Sequence, residues 1–179
     1  MKSALSEIGV DNITIKVNHR GIFNAFLEKL GLSEKSEDVL RIVDKLAKIG
    51  EEQVTLQLNE ITQDENKSKE ILTFIAGKDD FDSTLELIGS MAGEKANPFV
   101  ERMKDIRQMM KASGIDSTYV LDPSITRGLD YYTGVVYETF LNDLPSIGSV
   151  CSGGRYDNLA GLYMKEKISG VGSSIGLDR

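Results

Sequence analysis

Ile13, Ile15 and Val17 alternate with Thr14, Lys16 and Asn18, the period of a strand with one buried face. Ile22, Phe23, Phe26, Leu27 and Leu30 then recur at helical spacing, with Gly31 placed to end the helix. From Ser33 the apolar positions thin out. Val39, Leu40, Val43 and Leu46 predict one helix, Ile71, Leu72 and Ile75 a second, and Leu85, Leu87 and Ile88 a third. Polar and acidic residues separate them, with turn signals at Gly50, Gly77 and Gly93. Asn97-Pro98 predicts a helix start, with Asn as the N-cap and Pro at the first helical position. Phe99, Val100, Met103, Ile106, Met109 and Met110 follow on one broad face, the methionines as flexible core filler, and Gly114 predicts the stop. Beyond it the pattern is that of strands, over 118–121, 135–141, 147–152 and 171–175.

This order predicts an α+β fold. Residues 32–96 read as a small all-helical insertion between two parts of a mixed domain, 1–31 and 97–179. There is no internal repeat. Nine of the 17 glycines fall between 128 and 179, beside strands. That density suits a ligand lying against a sheet, and bulges or tight hairpins also use glycine.

The chain has 179 residues, 40% of them hydrophobic, enough for a real core. No run approaches the ~18 apolar residues of a membrane span, and no secretory signal is visible. The single cysteine, Cys151, excludes an internal disulfide and predicts a small buried residue in a reducing cytosol, hence a cytoplasmic location. The sequons at Asn12 and Asn66 are accidental on that reading. Net charge is −7, and its distribution is uneven. Residues 32–96 hold 8 Lys+Arg against 15 Asp+Glu, which leaves 13 of each for the remainder. An acidic helical segment is a poor non-specific partner for nucleic acid. Lys67 with Lys69, and Lys165 with Lys167, read as solvated surface lysines.

Common catalytic signatures are missing. There is no Walker-type phosphate loop, and Gly170, Gly172 and Gly176 miss the dinucleotide spacing by one residue. His19, the only histidine, ends a strand and reads as structural; with Cys151 it supplies too few metal ligands. What stands out is Arg127-Gly-Leu-Asp-Tyr-Tyr-Thr-Gly134 directly before a strand. Arginine offers a planar fork for carboxylate or phosphate, and tyrosine hydroxyls donate to or accept from small polar ligands. Arg127, Arg155 and Arg179 among tyrosines and glycines describe a site that positions reactants and neutralises charge, without a protein nucleophile.

The run 127–134 resembles the histidine-specific motif of the histidyl-tRNA synthetase family. Val150-Cys-Ser-Gly-Gly-Arg-Tyr-Asp-Asn158 is similar to that family's glycine-rich segment, and Gly170-Val-Gly-Ser-Ser-Ile-Gly-Leu-Asp-Arg179 to the start of motif 3 of class II aminoacyl-tRNA synthetases. All three occur in family order, and residues 13–20 add a weaker match. The resemblance implies a class II antiparallel sheet with flanking helices, and a fragment running from after motif 2 to the start of motif 3. It implies ATP-dependent activation of histidine to histidyl-adenylate, then transfer to tRNA(His), by a homodimer without a membrane association. Mg2+ would accompany ATP, with its ligands outside these residues. The chain alone is expected to be inactive, because motifs 1 and 2 have no counterpart in it.

By the same resemblance, Arg127 contacts the histidine carboxylate and the α-phosphate of ATP. Tyr131, Tyr132, Gly153, Gly154 and Tyr156 form the histidine pocket, while Gly176 and Arg179 serve ATP. Core packing with a satisfied hydroxyl is the plain alternative for the tyrosines, and Asp130 can anchor its loop through backbone N–H groups. Ser173 stands where the family often carries an aromatic residue, and Asn158 where glycine is common. The rival reading is a non-catalytic relative: a regulatory subunit of histidine biosynthesis or a tRNA-sensing domain.

Overall fold

The computed structural model describes residues 1–126, 132–166 and 168–176. Arg127, Asp130, Tyr131 and Arg179 lie outside the described residues. The chain opens with α1 (Lys2–Glu7), β1 (Ile13–His19) and α2 (Arg20–Lys29). Four helices follow: α3 (Ser36–Val43), α4 (Leu46–Thr62), α5 (Glu65–Ala76) and α6 (Phe81–Ala92). Then come α7 (Asn97–Ala112), β2 (Tyr119–Leu121), β3 (Val135–Leu141), β4 (Ser149–Tyr156) and β5 (Gly170–Ile175). The strands form one sheet in the order β2-β1-β3-β4-β5.

The sheet is antiparallel throughout except at one edge, where β2 pairs parallel to β1. Consecutive strands β3, β4 and β5 run antiparallel, joined across 142–148 and 157–169. β1 and β2 are separated by all of α2–α7, and so long a crossover lets the chain re-enter at the same end of the sheet. Ile13, Ile15 and Val17 are buried on alternate positions of β1, as its period predicts. His19 continues that alternation, whereas Asn18 departs from it, its buried side chain donating to the carbonyls of Pro123 and Ile125.

The helical region differs from its sequence pattern in two ways. Leu46 does not extend the helix through Val43: α3 ends there and α4 begins at Leu46. Gly50 then kinks α4 at φ 80°, a conformation open to glycine and costly for other residues. The long second part of α4 escapes a reading of apolar runs because it buries Val54, Leu58 and Thr62 alone, one per turn amid Gln, Asn and Glu. Helices α5 and α6 start where Asp64 and Asp80 accept hydrogen bonds from the main-chain N–H groups of their first turns.

In α7, Asn97 is already helical (φ −49°, ψ −46°), so Ala96 takes the cap position and Pro98 lies inside the first turn. The tight turn over 94–96 runs straight into the helix and removes the need for a side-chain cap. Gly114, at φ 65°, follows its end. Of the methionines on α7, Met103 is fully buried, whereas Met109 is 64% exposed and fills no core. Cys151 is buried, and that burial raises its thiol pKa.

One continuous apolar cluster runs from β1 and α2 through α3–α6 to Met103, Leu121 and Val150. Phe74 of α5 stacks on Phe26 of α2 with ring centroids 4.4 Å apart, and lies 5.0 Å from Phe23. The helical segment thus shares its core with α2. Among the described residues, no helix is long and apolar enough to cross a membrane.

Candidate functional site

The pairing register sorts the glycine-rich strands into two faces. Val136 pairs with Gly154, Gly154 with Gly172, and Tyr156 with Gly170, so these share one face. Tyr137, Gly153, Arg155 and Val171 share the other, which looks toward α7.

On the first face the glycines make room for aromatic rings. A Cβ on Gly154 would lie 2.7 Å from the Val135 carbonyl oxygen and 2.8 Å from Tyr132 Cδ1. One on Gly170 would stand 2.6 Å from Tyr156 Cδ2, and one on Gly172 would stand 2.8 Å from the Tyr156 hydroxyl oxygen. No real Cβ sits so close to these atoms. The rings of Tyr132 and Tyr156 are held 6.4 Å apart at 40°, both half-buried. Two phenol hydroxyls on a glycine floor suit a small planar ligand with polar edges.

Tyr132, Gly154 and Tyr156 are therefore brought together. Gly153 belongs to the opposite face: a Cβ there would collide with the Gly172 carbonyl and the Tyr137 ring, so it lets β4, β5 and Tyr137 pack closely. Gly176 donates its N–H to the Val150 carbonyl at 2.9 Å, at the far end of β5. Six residues of extended chain, roughly 20 Å, separate it from Gly170.

The segment leading into Arg127 is anchored by residues that motif reading passed over. Asn18 Nδ2 donates to the carbonyls of Pro123 (3.1 Å) and Ile125 (3.0 Å). Arg20, only 6% exposed, donates from Nη1 to the Thr126 carbonyl at 2.8 Å. Thr126 Oγ1 donates in turn to the Leu40 carbonyl of α3 at 3.1 Å, and Lys16 pairs with Asp122 at 2.8 Å. Buried polar side chains at the end of an apolar strand were the available signal: they must find partners, and here the partner is the main chain of 122–126.

The face toward α7 carries a cleft of about 500 Å³. Phe99, Arg102 and Ile106 wall it from the helix, and Val135, Tyr137 and Arg155 from the sheet. His19 lies at its edge. Its Nδ1 accepts from the Gly21 N–H at 3.0 Å, capping α2, and its ring stacks on Phe99 at 5.0 Å. Burial, then the nearby positive charges of Arg102 and Arg155, lower its pKa from 6.5 to about 4. It is neutral at pH 7, with its proton on Nε2.

The unfolded chain takes up this proton near pH 6.5 and the folded chain only near pH 4, so acid favours unfolding across that window. At pH 5 the loss relative to pH 7.5 is about 2 kcal/mol from this group. Urea denaturation of the wild-type chain and of His19→Asn checks it. The variant should lack that part of the acid decline, and parallel declines would refute the burial account.

Among the described residues, no three His, Cys, Asp or Glu side chains gather as metal ligands.

The family model described as Histidyl-tRNA synthetase matches residues 1–179. The histidine–tRNA ligase of Treponema denticola is 60% identical over 185 aligned residues, covering 100% of this chain and 41% of that protein. The crystal structure of histidyl-tRNA synthetase from Nostoc sp. PCC 7120 matches with a TM-score of 0.90 at 33% identity, covering 97% of this chain and 42% of that one. A structure described as an ATP phosphoribosyltransferase regulatory subunit/histidyl-tRNA synthetase from Bacillus halodurans matches at 0.80 with 21% identity, over 98% of this chain and 45% of that one. That last likeness speaks to fold alone. The chain spans about two fifths of the length of the curated relatives it matches.

Proposed function

We propose a function from one premise: the chain belongs to the histidyl-tRNA synthetase family. We infer that it is the catalytic-domain portion of a histidine–tRNA ligase running from after motif 2 into motif 3. In this reading residues 1–31 and 97–179 form half of the catalytic domain, and 32–96 are its helical insertion. The substrates are histidine, ATP and tRNA(His), and the whole protein works as a cytoplasmic homodimer.

The observation that carries the reading is the Tyr132–Tyr156 pair on its glycine floor, inside a chain that matches the family along its whole length. Imidazole is small and planar, with two polar ring nitrogens flanking one carbon, and two phenol hydroxyls can distinguish it from apolar rings. The histidine carboxylate is itself the nucleophile. It attacks the α-phosphorus of ATP, an O–P bond forms, the bond to the bridging oxygen breaks, and pyrophosphate leaves with its electron pair. The chain's part is to hold the amino acid and offset the charge that develops. In this account Tyr131, Tyr132 and Tyr156 hold the imidazole beside Gly154, while Gly153 serves the site from the other face by letting β4, β5 and Tyr137 pack closely. Arg127 holds the carboxylate and α-phosphate, and Gly176 with Arg179 receives the nucleotide. Mg2+, when bound, would screen the phosphates; the described residues offer no cluster to ligate it, and no step here is assigned to it.

The test is amino-acid-dependent pyrophosphate exchange by the full-length protein across the standard amino acids. Exchange supported by histidine alone is the expected result. A folded protein with no exchange for any of them would favour the regulatory relative instead.

A further inference from the structure

Each tyrosine of the pair is followed in the chain by one member of a small polar lock. Thr133 follows Tyr132, and Asp157 follows Tyr156. Thr133 Oγ1 donates to Asp157 Oδ2 at 3.0 Å and accepts from the Asp157 main-chain N–H at 3.1 Å. The Thr133 N–H donates to the Arg155 carbonyl at 2.9 Å. Arg155 Nε lies 3.0 and 3.1 Å from the two Asp157 carboxylate oxygens, and its Nη2 donates to Ser169 Oγ at 3.1 Å. Ser169 directly precedes Gly170, on which the Tyr156 ring rests. The Arg155 stem in turn lies over Gly134, where a Cβ would come within 3.0 Å of Arg155 Cδ.

A single carboxylate thus ties together the entry to β3, the end of β4 and the approach to β5. These segments are far apart in sequence, and Thr133 and Asp157 are 24 residues apart. Successive side chains of extended backbone point to opposite faces. Thr133, Arg155 and Asp157 line the cleft, whereas the two rings rest on Gly154, Gly170 and Gly172 of the opposite face, so closing the lock sets both rings without occupying their face. Hydrogen bonds from Arg155, Ser169 and Thr133 hold the Asp157 carboxyl below the usual carboxylate range, so it stays ionised at neutral pH.

We propose that Asp157, acting through Thr133 and Arg155, is a positioning residue for the amino-acid site, fixing the separation and tilt of Tyr132 and Tyr156. The proposal rests on the histidine reading above. Arg155 and Asp157 lie on the protein surface, where an ion pair alone contributes little to stability. The reciprocal bonds with Thr133 give this pair a purpose that a solvated ion pair lacks.

The test uses the full-length protein and steady-state pyrophosphate exchange, with Asp157→Ala, Thr133→Val, the double variant and Thr133→Ser. Asp157→Ala and Thr133→Val should each raise KM for histidine roughly tenfold and leave KM for ATP within about twofold, since they loosen one subsite. The double variant should be no worse than Asp157→Ala alone, because both changes open the same link. Thr133→Ser, which keeps the hydroxyl, should restore the wild-type KM. Equal rises for both substrates, additive effects, or a change in thermal midpoint alone would overturn the proposal. Should Asp157→Ala fail to fold, Thr133→Val against Thr133→Ser decides it. If the wild type shows no histidine-dependent exchange, the histidine reading fails and this proposal falls with it.

Discussion

Arg127→Ala in the full-length protein is expected to slow histidine-dependent pyrophosphate exchange by two to four orders of magnitude, roughly 3–5 kcal/mol. The reaction assigned to this site needs no nucleophile from the protein. Catalysis must then come from holding carboxylate and α-phosphate in line and from opposing the negative charge that builds on them. A residue that touches both reacting groups, the part proposed for Arg127, contributes to each. Arg127→Lys sharpens the test, because lysine keeps the charge and loses the planar fork. It should recover only part of the lost rate. The described surroundings support a site whose base does not yield. Asn18 and Arg20 hold the carbonyls of Pro123, Ile125 and Thr126, and the Thr126 hydroxyl ties the same segment to α3, just ahead of residue 127. Exchange rates within about threefold of wild type for Arg127→Ala would remove this residue from the chemistry.

Phe74→Ala is expected to destabilise the folded chain by about 4 kcal/mol, within the range for removing a buried aromatic ring. The ring is fully buried, stacks on Phe26 at an interplanar angle of 12°, and lies tilted by 50° against Phe23. Its loss leaves a hole between α5 and α2 that neither helix can close alone, since α5 is held by α4 and α6, and α2 by α6 and α7. Because single domains have total stabilities of roughly 5–15 kcal/mol, this one change removes much of the margin. Denaturant unfolding reads it as a lower midpoint with an unchanged slope. Met109→Ala is the natural control: Met109 is 64% exposed on α7 and should cost under about 0.5 kcal/mol. A cost near that value for Phe74→Ala would mean that the helical segment draws little stability from α2.

The physical link between the two predictions is the segment 122–126. It is tied to β1 through Asn18 and Arg20, and to α3 through the Thr126 hydroxyl. The helices that share a core with α2 therefore also help to hold the entry to the proposed active-site run. Damage at Phe74 should lower the population of folded protein. Damage at Arg127 should leave the fold intact and remove the rate, so a thermal midpoint measured beside each exchange assay separates the two.

Local features of the sequence were sufficient for much of the architecture. The alternation of Ile13, Ile15 and Val17, the apolar stretch 135–141 and the glycine stops at Gly31 and Gly114 are rules of neighbouring residues, and the chain obeys them. The tyrosines and glycines of the site were legible as residue types for the same reason. Departures arose where a decision depended on something distant. The parallel seating of β2 follows from the length of chain between it and β1. The second part of α4 is a helix because its sparse buried positions meet apolar partners from other elements. The exposure of Met109 reflects a helix face that its neighbours leave uncovered.

The division is sharpest at the site itself. By itself the sequence determined that Tyr132, Tyr156, Gly153 and Gly154 would lie beside strands, since local periodicity and glycine content dictate that much. Only the tertiary structure decided that Gly154, Gly170 and Gly172 floor the two rings, whereas Gly153 faces Tyr137 on the other side. It also decided that His19 is buried beside two arginines, and that Thr133 meets Asp157. Face and partner are set by strand register, and register is a property of residues brought together by folding rather than by sequence adjacency.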